Sequence, residues 1–324
     1  MLRPSRAPAA GATRLALLAL PRLGCLAVLM LTLPGSPARA EGFDLDFWKP
    51  ASSARTGYFS EESARVLPEQ TLDLGVSFGY ARRLLVIREQ MTGGPSGAIV
   101  KDRFTGYLSA TFGLWGRIDV GLRVPAVLRQ TGDVEVDLTD NGGFLRRPRP
   151  AALGDVDLLP RIRVAGAAAS RGFRMTLSAP FGLPTGARDA LAGAGSVSFR
   201  PRLIAGWEAE RVSASVSVGF EFRRAVEIPR SNLVVGNAAV AGAGLAYMAI
   251  PYRLWAVGEA SVRAGVVQSP TGAGPLSAES LLGARALLTE DLTVQAGVGT
   301  GLTTGAGSPR FRALLTFGYL WGRL

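Results

Sequence analysis

From Phe104 to Val127 the chain alternates apolar and polar side chains twice, once on each side of a tight turn. Phe104, Leu108, Ala110 and Phe112 share one parity, and Thr105, Tyr107, Ser109 and Thr111 share the other. After Leu114-Trp115-Gly116-Arg117 the return half sets Ile118, Val120, Leu122, Val124 and Ala126 against Asp119, Gly121 and Arg123. A period of two puts successive side chains on opposite faces of a strand. Hairpins with one greasy and one polar face satisfy both in a closed sheet, with lipid outside and a polar lumen within. The alternation starts near residue 71 and recurs near 104–112, 118–127, 154–164, 172–183, 196–207, 212–223, 237–247, 254–264, 277–287, 292–299 and 309–319. These spans make twelve strands, and an even number returns both barrel ends to one side. The expected fold is therefore all-β: a twelve-stranded antiparallel transmembrane β-barrel over residues 69–324, both termini periplasmic.

The connections alternate in length. Short ones fall at 114–117, 165–171, 208–211, 248–253 and 288–291, and long ones near 88–102, 128–153, 184–195, 224–236, 265–276 and 300–308. Short periplasmic turns and long outer loops account for both sets. Trp115, Trp207, Trp255 and Trp321 stand beside short turns or the C-terminus and are expected to form one interfacial belt. Residues 233–250 are apolar enough, with Asn237 alone strongly polar, to suggest a membrane helix by length. Such a helix among strands would leave sheet edges unpaired in lipid, so a strand is expected there.

Two segments precede the alternation. In residues 1–40, Arg3, Arg6, Arg14 and Arg22 come before an apolar run from Leu23 to Leu33, and Ala38-Arg39-Ala40 supplies small residues for cleavage. This reads as a Sec-type signal peptide cut before Glu41, with the cell outer membrane as destination. Cys25, the only cysteine, is followed by more apolar residues where a lipoprotein would begin a polar tether, which argues against lipidation. Residues 41–68 show neither strand nor helix period and are expected to form a periplasmic N-terminal segment, with Trp48 and its neighbours either outside the lumen or plugging it. The leader holds five basic and no acidic residues, so the formal charge falls from +11 to +6 once it is removed. The high pI thus gives no ground for nucleic-acid binding.

The sequence contains no histidine. Ser-His-Asp triads, Cys-His pairs and His-bearing zinc sites are excluded. Asp155 and Asp157 share a face, but adjacent lumen acids suit ion pairing better than glycoside hydrolysis. GAGLAY at 242–247 reads as a small-residue strand in preference to a dinucleotide fingerprint. Asp137, Thr139, Asn141 and Gly142 echo the start of a calcium loop, yet its twelfth position is Pro148, which cannot supply the bidentate carboxylate. No enzymatic activity, cofactor or metal is expected.

Arginine carries the functional signal. Arg123, Arg161, Arg163, Arg174, Arg200, Arg202, Arg223, Arg263, Arg285, Arg310 and Arg312 all take the polar parity of their strands. Each would cost about 2–4 kcal/mol facing lipid at the midplane, so the set is expected in the lumen. Asp73, Asp119, Asp155, Asp157, Glu221, Glu259 and Glu279 share that parity. Two readings follow: an ionic network that fills and rigidifies the interior, or an incompletely neutralised basic wall that favours anions, densest at Arg161, Arg163, Arg174, Arg200 and Arg202.

The stretches SARVLPEQTLDLGVSFGYARRLLVIRE, GLWGRIDVGLRVP, LGDVDLLPRIRV, LSAPFGLPTG and GVGTGLTTGAGSPRFRALLTFGY resemble the N-terminal barrel of OmpA-family outer-membrane proteins of myxobacteria. More loosely they are similar to transporter barrels of the phenol-degradation MetA-like family. The resemblance covers Ser63 to Tyr319 and implies a barrel handled by the barrel-assembly machinery, with Tyr319 and Trp321 in place of the usual terminal aromatic. It implies no catalytic residues, since barrel enzymes such as the outer-membrane phospholipase and the omptins rely on histidine. The expected function is a small-solute pore or transporter with modest anion preference, in contact with outer-membrane lipid and small anionic or polar solutes. The alternative is a closed structural or interaction barrel.

Overall fold

The computed structural model describes residues 44–88, 95–133, 148–166, 171–228, 233–266 and 276–322. The leader 1–40, the cleavage point before Glu41 and the 137–142 stretch lie outside these residues. Twelve long strands form the wall: Leu72–Arg88, Pro95–Leu114, Ile118–Thr131, Val156–Gly166, Gly172–Ser178, Arg202–Glu208, Val212–Glu221, Ala238–Ile250, Leu254–Gly265, Leu276–Leu287, Leu292–Gly301 and Phe311–Trp321. Each pairs antiparallel with its neighbours in chain order. The sheet closes on itself where Leu72 through Arg82 face Trp321 through Phe311. Closure leaves no edge of unpaired backbone groups for lipid to meet.

Burial in this wall is inverted relative to a water-soluble domain. Leu74, Val76, Leu108, Phe112, Leu122, Val216, Val218, Leu282 and Phe317 are exposed on the outside, while Asp73, Ser77, Thr111, Asp119, Arg123, Arg161, Glu259 and Arg312 are buried within. Only a surrounding apolar solvent makes that arrangement favourable, so the fold is a transmembrane barrel. At the first short turn Trp115 and Gly116 take φ 51° and 61°. The Arg117 N–H donates back to the Leu114 carbonyl (3.2 Å) across these two residues, and the glycine takes the left-handed conformation at no steric cost.

The strands differ from the alternation at the end that carries the long connections. The connection expected over 88–102 is largely strand, because the first two strands run on to Arg88 and start from Pro95, with a register shift after Arg82. Their extensions bury Leu84, Leu85, Ile99 and Val100 in one cluster with Leu45, Leu191, Val235 and Ala306. Conversely, the strands expected over 172–183 and 196–207 break at Pro180 and Pro201, which have no N–H to offer the ladder. Their carbonyls still accept from the backbone N–H of Arg200 (2.9 Å) and Phe220 (3.0 Å). Residues 238–250 are strand, paired on both sides, as the polar-edge argument required.

The segment before the first strand lies inside the barrel. Residues 44–70 have no regular secondary structure and thread the lumen from end to end. The Leu45 N–H donates to the Leu191 carbonyl (3.2 Å) at the long-connection end, and the Gln70 N–H donates to Gly113 (3.0 Å) beside the first short turn. Asp44 therefore lies at the long-connection mouth, and the wall's first and last strands begin and end together at the other, near Leu72 and Trp321. Strand parity places only the two ends of the wall, and the chain that precedes the first strand is free to run back through the interior.

The plugged lumen as candidate functional site

The inserted segment, called the plug below, supplies an apolar core to a polar tube. Trp48, Tyr58 and Phe59 cluster with Tyr107, Ala246, Val257, Leu281 and Leu314. Each such ring or aliphatic side chain contributes about 1.5–3 kcal/mol when fully removed from water. Small wall residues make the room. A methyl carbon on Gly244 would sit 2.3 Å from the Tyr58 ring, and one on Gly242 would sit 2.1 Å from the Glu61 carboxyl. The GAGLAY stretch is thus a strand whose glycines admit the plug.

A chain without secondary structure must satisfy its backbone polar groups elsewhere. Here the wall side chains do it. Glu259 accepts from the backbone N–H of Phe59 (2.9 Å), Ser60 (2.8 Å) and Glu61 (3.0 Å), and from the Ser60 hydroxyl (2.6 Å). Asp119 accepts from Leu67 N–H (2.9 Å). Thr111, Tyr107, Thr176, Ser215 and Gln295 donate to the carbonyls of Ser52, Trp48, Ala64, Glu62 and Ala54. Arg285 donates to Gly57 (2.9 Å) and Arg55 (3.3 Å), and Arg123 to Pro50.

The charged pairs interlace wall and plug in the same way. Arg161 forks onto Asp119 (2.8 and 2.5 Å) and reaches Glu62 of the plug (2.6 Å). Arg312 bonds Glu279 (2.5 Å) and plug Asp46 (3.0 Å). Asp157 receives Arg123 (2.8 Å), Arg200 and plug Lys49 (3.3 Å). Arg202 reaches plug Glu61 (3.4 Å), and Glu221 holds Arg263 (2.8 Å) and Arg223 (3.3 Å). Asp73 accepts from the hydroxyl of plug Ser53. Asp155 pins the 184–195 connection by accepting from Gly186 N–H (2.8 Å) and Ala194 N–H (2.6 Å). Burial pushes its carboxyl above the ordinary range, against the pull of those two donors.

Several assigned positions turn out differently. Arg310 is exposed at the long-connection mouth, just before the last strand begins, and does not line the lumen. Trp255 shares the inward parity of Val257, Glu259 and Arg263; it packs against the plug core with its ring 5.5 Å from Arg285, and so leaves the outer belt to the exposed Trp115, Trp207 and Trp321. Arg163 is half-buried near the first short turn, donating to the Gly116 carbonyl (2.9 Å), and Arg174 is buried on the same wall. The acids Asp44, Asp46, Glu61 and Glu62 and Lys49 were not singled out, because nothing periodic marks the plug. Arg103 was missed despite sharing the parity of Thr105 and Tyr107. It is 1% exposed and donates to Gln130 and to the carbonyls of Ala190 and Leu191, tying that connection over the mouth.

A cavity of about 120 Å³ remains between plug and wall toward the long-connection end. It is bordered by Phe47, Arg200, Arg202, Glu221, Arg223 and Arg263, among others. Since one water needs about 10–15 Å³ by this measure, the space holds several waters or a small solute.

No protein-family model matches the chain, and no curated protein matches it. Among solved structures, an outer-membrane channel from Pseudomonas putida F1 superposes with a TM-score of 0.60 at 13% identity, covering 80% of this chain and 98% of that one. The NanC porin superposes with a TM-score of 0.48 at 9% identity, covering 78% and 100%. The first likeness shows a shared barrel fold. Nothing in these comparisons points to the OmpA-family barrels that the strand motifs resemble.

Proposed function

We propose that this protein is a channel of the cell outer membrane for small polar solutes, with a modest preference for anions, and that its lumen is closed at rest by residues 44–70. The observation that carries this reading is the nature of the plug's attachment. Polar side chains of the wall hold an aperiodic strand of chain that could be displaced without breaking the barrel's own ladder. A barrel built only to stand in the membrane could fill its lumen with wall side chains, as the smallest barrels do. Anion preference would arise at the long-connection mouth, since most arginines deeper in the wall are engaged by acids or carbonyls. The competing reading, a closed structural barrel, is supported by the extent of that same filling.

A reversible lock separates the two. The Gly318 methyl position lies 2.7 Å from the Ala54 side chain, closer than the roughly 3.5–4.5 Å between the Cβ atoms of a disulfide, so Ala54→Cys with Gly318→Cys can join across the plug-wall boundary once the plug moves back by about 1 Å. In planar bilayers the oxidised protein should be silent, and reduction should give intermittent openings like those of the parent protein. A parent protein and a reduced variant that both fold, shift on boiling in SDS, and never conduct would eliminate the channel. Recovery of the protein as a soluble periplasmic species would eliminate the outer-membrane assignment.

A further inference from the structure

We propose that the cavity at the long-connection end is a binding site for a small monocarboxylate, held by Arg200, Arg223 and Arg263. This rests on the reading of the barrel as a solute channel and names the solute class its mouth would select. Arg223 and Arg263 are 8% and 5% exposed, and both border the cavity, as does Arg200. Four of their N–H groups, Arg200 Nε, Arg223 Nε, Arg223 Nη2 and Arg263 Nη1, are buried without a hydrogen-bond partner. Buried donors on a charged group are seldom left unused, because desolvating them without compensation costs free energy. The three side chains border a space large enough for a ligand, so a small shift of any guanidinium group would turn such a donor toward it.

The surrounding charge selects a monoanion. Glu221 is bonded to Arg263 and Arg223, and Asp157 is shared by Arg200 with Arg123 and Lys49. Three guanidinium groups thus face one acid of their own and part of a second, leaving room for about one further negative charge. A dianion would crowd the other acids on the cavity border, Asp44, Asp46, Glu61, Glu62, Asp155 and Glu279, although Asp44 is paired with Lys49, Asp46 and Glu279 with Arg312, Glu61 with Arg202 and Glu62 with Arg161. A planar carboxylate matches the guanidinium fork, which presents parallel N–H groups. The Phe47 ring lies 4.2 Å from the Arg263 guanidinium carbon, and Val240 borders the same space. These apolar surfaces suit a short alkyl tail on the carboxylate.

The test is saturation transfer from the detergent-solubilised full chain to the methyl protons of propionate, titrated at constant chloride. Saturable transfer, competed by acetate but not by propionamide or by equimolar phosphate, is expected. Arg223→Gln with Arg263→Gln should weaken propionate by about tenfold or more, whereas Arg163→Gln at the opposite end should leave it unchanged. Arg223→Lys keeps the charge and removes the fork, so it should also weaken binding, provided each variant still shifts on boiling in SDS. Absence of saturable transfer, retention of parent affinity in the double variant, or equal competition by propionamide or phosphate would overturn the site. Binding is read without conduction: propionate bound by a barrel that never conducts upholds the site and removes the channel, and a conducting barrel that ignores propionate does the reverse.

Discussion

The two halves of the plug meet the same wall on different terms. Between Ser52 and Leu67 the backbone is stitched to Thr111, Thr176, Ser215, Glu259, Arg285 and Gln295, and Tyr58 and Phe59 fill the space between. Between Asp44 and Lys49 the bonds run mainly between charged side chains, and beside them lies the cavity, bordered by guanidinium groups that keep one or two N–H atoms without a partner. The difference is geometric. Hydrogen-bonded, ring-filled packing needs glycines opposite the bulky groups, as at Gly242 and Gly244. Long arginine side chains set around acids do not tile space as closely, so the charged half keeps a gap. One half seals and the other half recognises.

The largest expected loss lies in the sealed half. Glu259→Ala leaves three plug N–H groups without their acceptor, each worth about 1–3 kcal/mol when buried. The plug should detach while the barrel stays folded, seen as protease cleavage within residues 52–67 and increased bilayer conductance. A resistant plug would break the contrast between the halves. Arg161→Ala strands Asp119 and Glu62 and should cost about 3–5 kcal/mol, read as a lower urea midpoint for loss of heat-modifiable migration. An unchanged midpoint would show that the pair is solvated. Gly244→Ala forces the Tyr58 ring aside and should cost about 1–3 kcal/mol, with quenching of Trp255 fluorescence altered because that ring packs in the same cluster. Arg310→Ala, at an exposed position, should fall within about 0.5 kcal/mol in the same denaturation assay, and a larger effect would place this residue in a contact that the structure lacks.

Alternation of side chains was enough to place most of the wall. The paired strands from Ile118 through Leu292 and Trp321 follow it closely, because a lipid-facing side chain must be apolar and its neighbours must then point inward. Departures have local causes. Pro180 and Pro201 interrupt strands whose pattern continues through them, and Leu84, Leu85, Ile99 and Val100 break the pattern because register shifts on either side of Leu85 let successive residues join one buried cluster. Trp255 could have been assigned inward from parity alone, since Glu259 and Arg263 on the same strand were.

The inward set of charges was legible, and its partners were not. Parity says that Arg161, Glu259 and Arg312 face the lumen; it is silent on whether they meet one another, water or a second piece of chain. Residues 44–70 carry no period, so nothing local marks them as a plug, and their acids and Lys49 become pairs only when the closed wall surrounds them. The sequence by itself determined a closed, inside-out sheet, because two-residue periodicity is a property of each strand and of the solvent on either side of it. The tertiary structure alone decided that the tube is filled, which acids and carbonyls each guanidinium group meets and where a cavity remains, because those depend on what lies across the lumen from each wall position and on no neighbour along the chain.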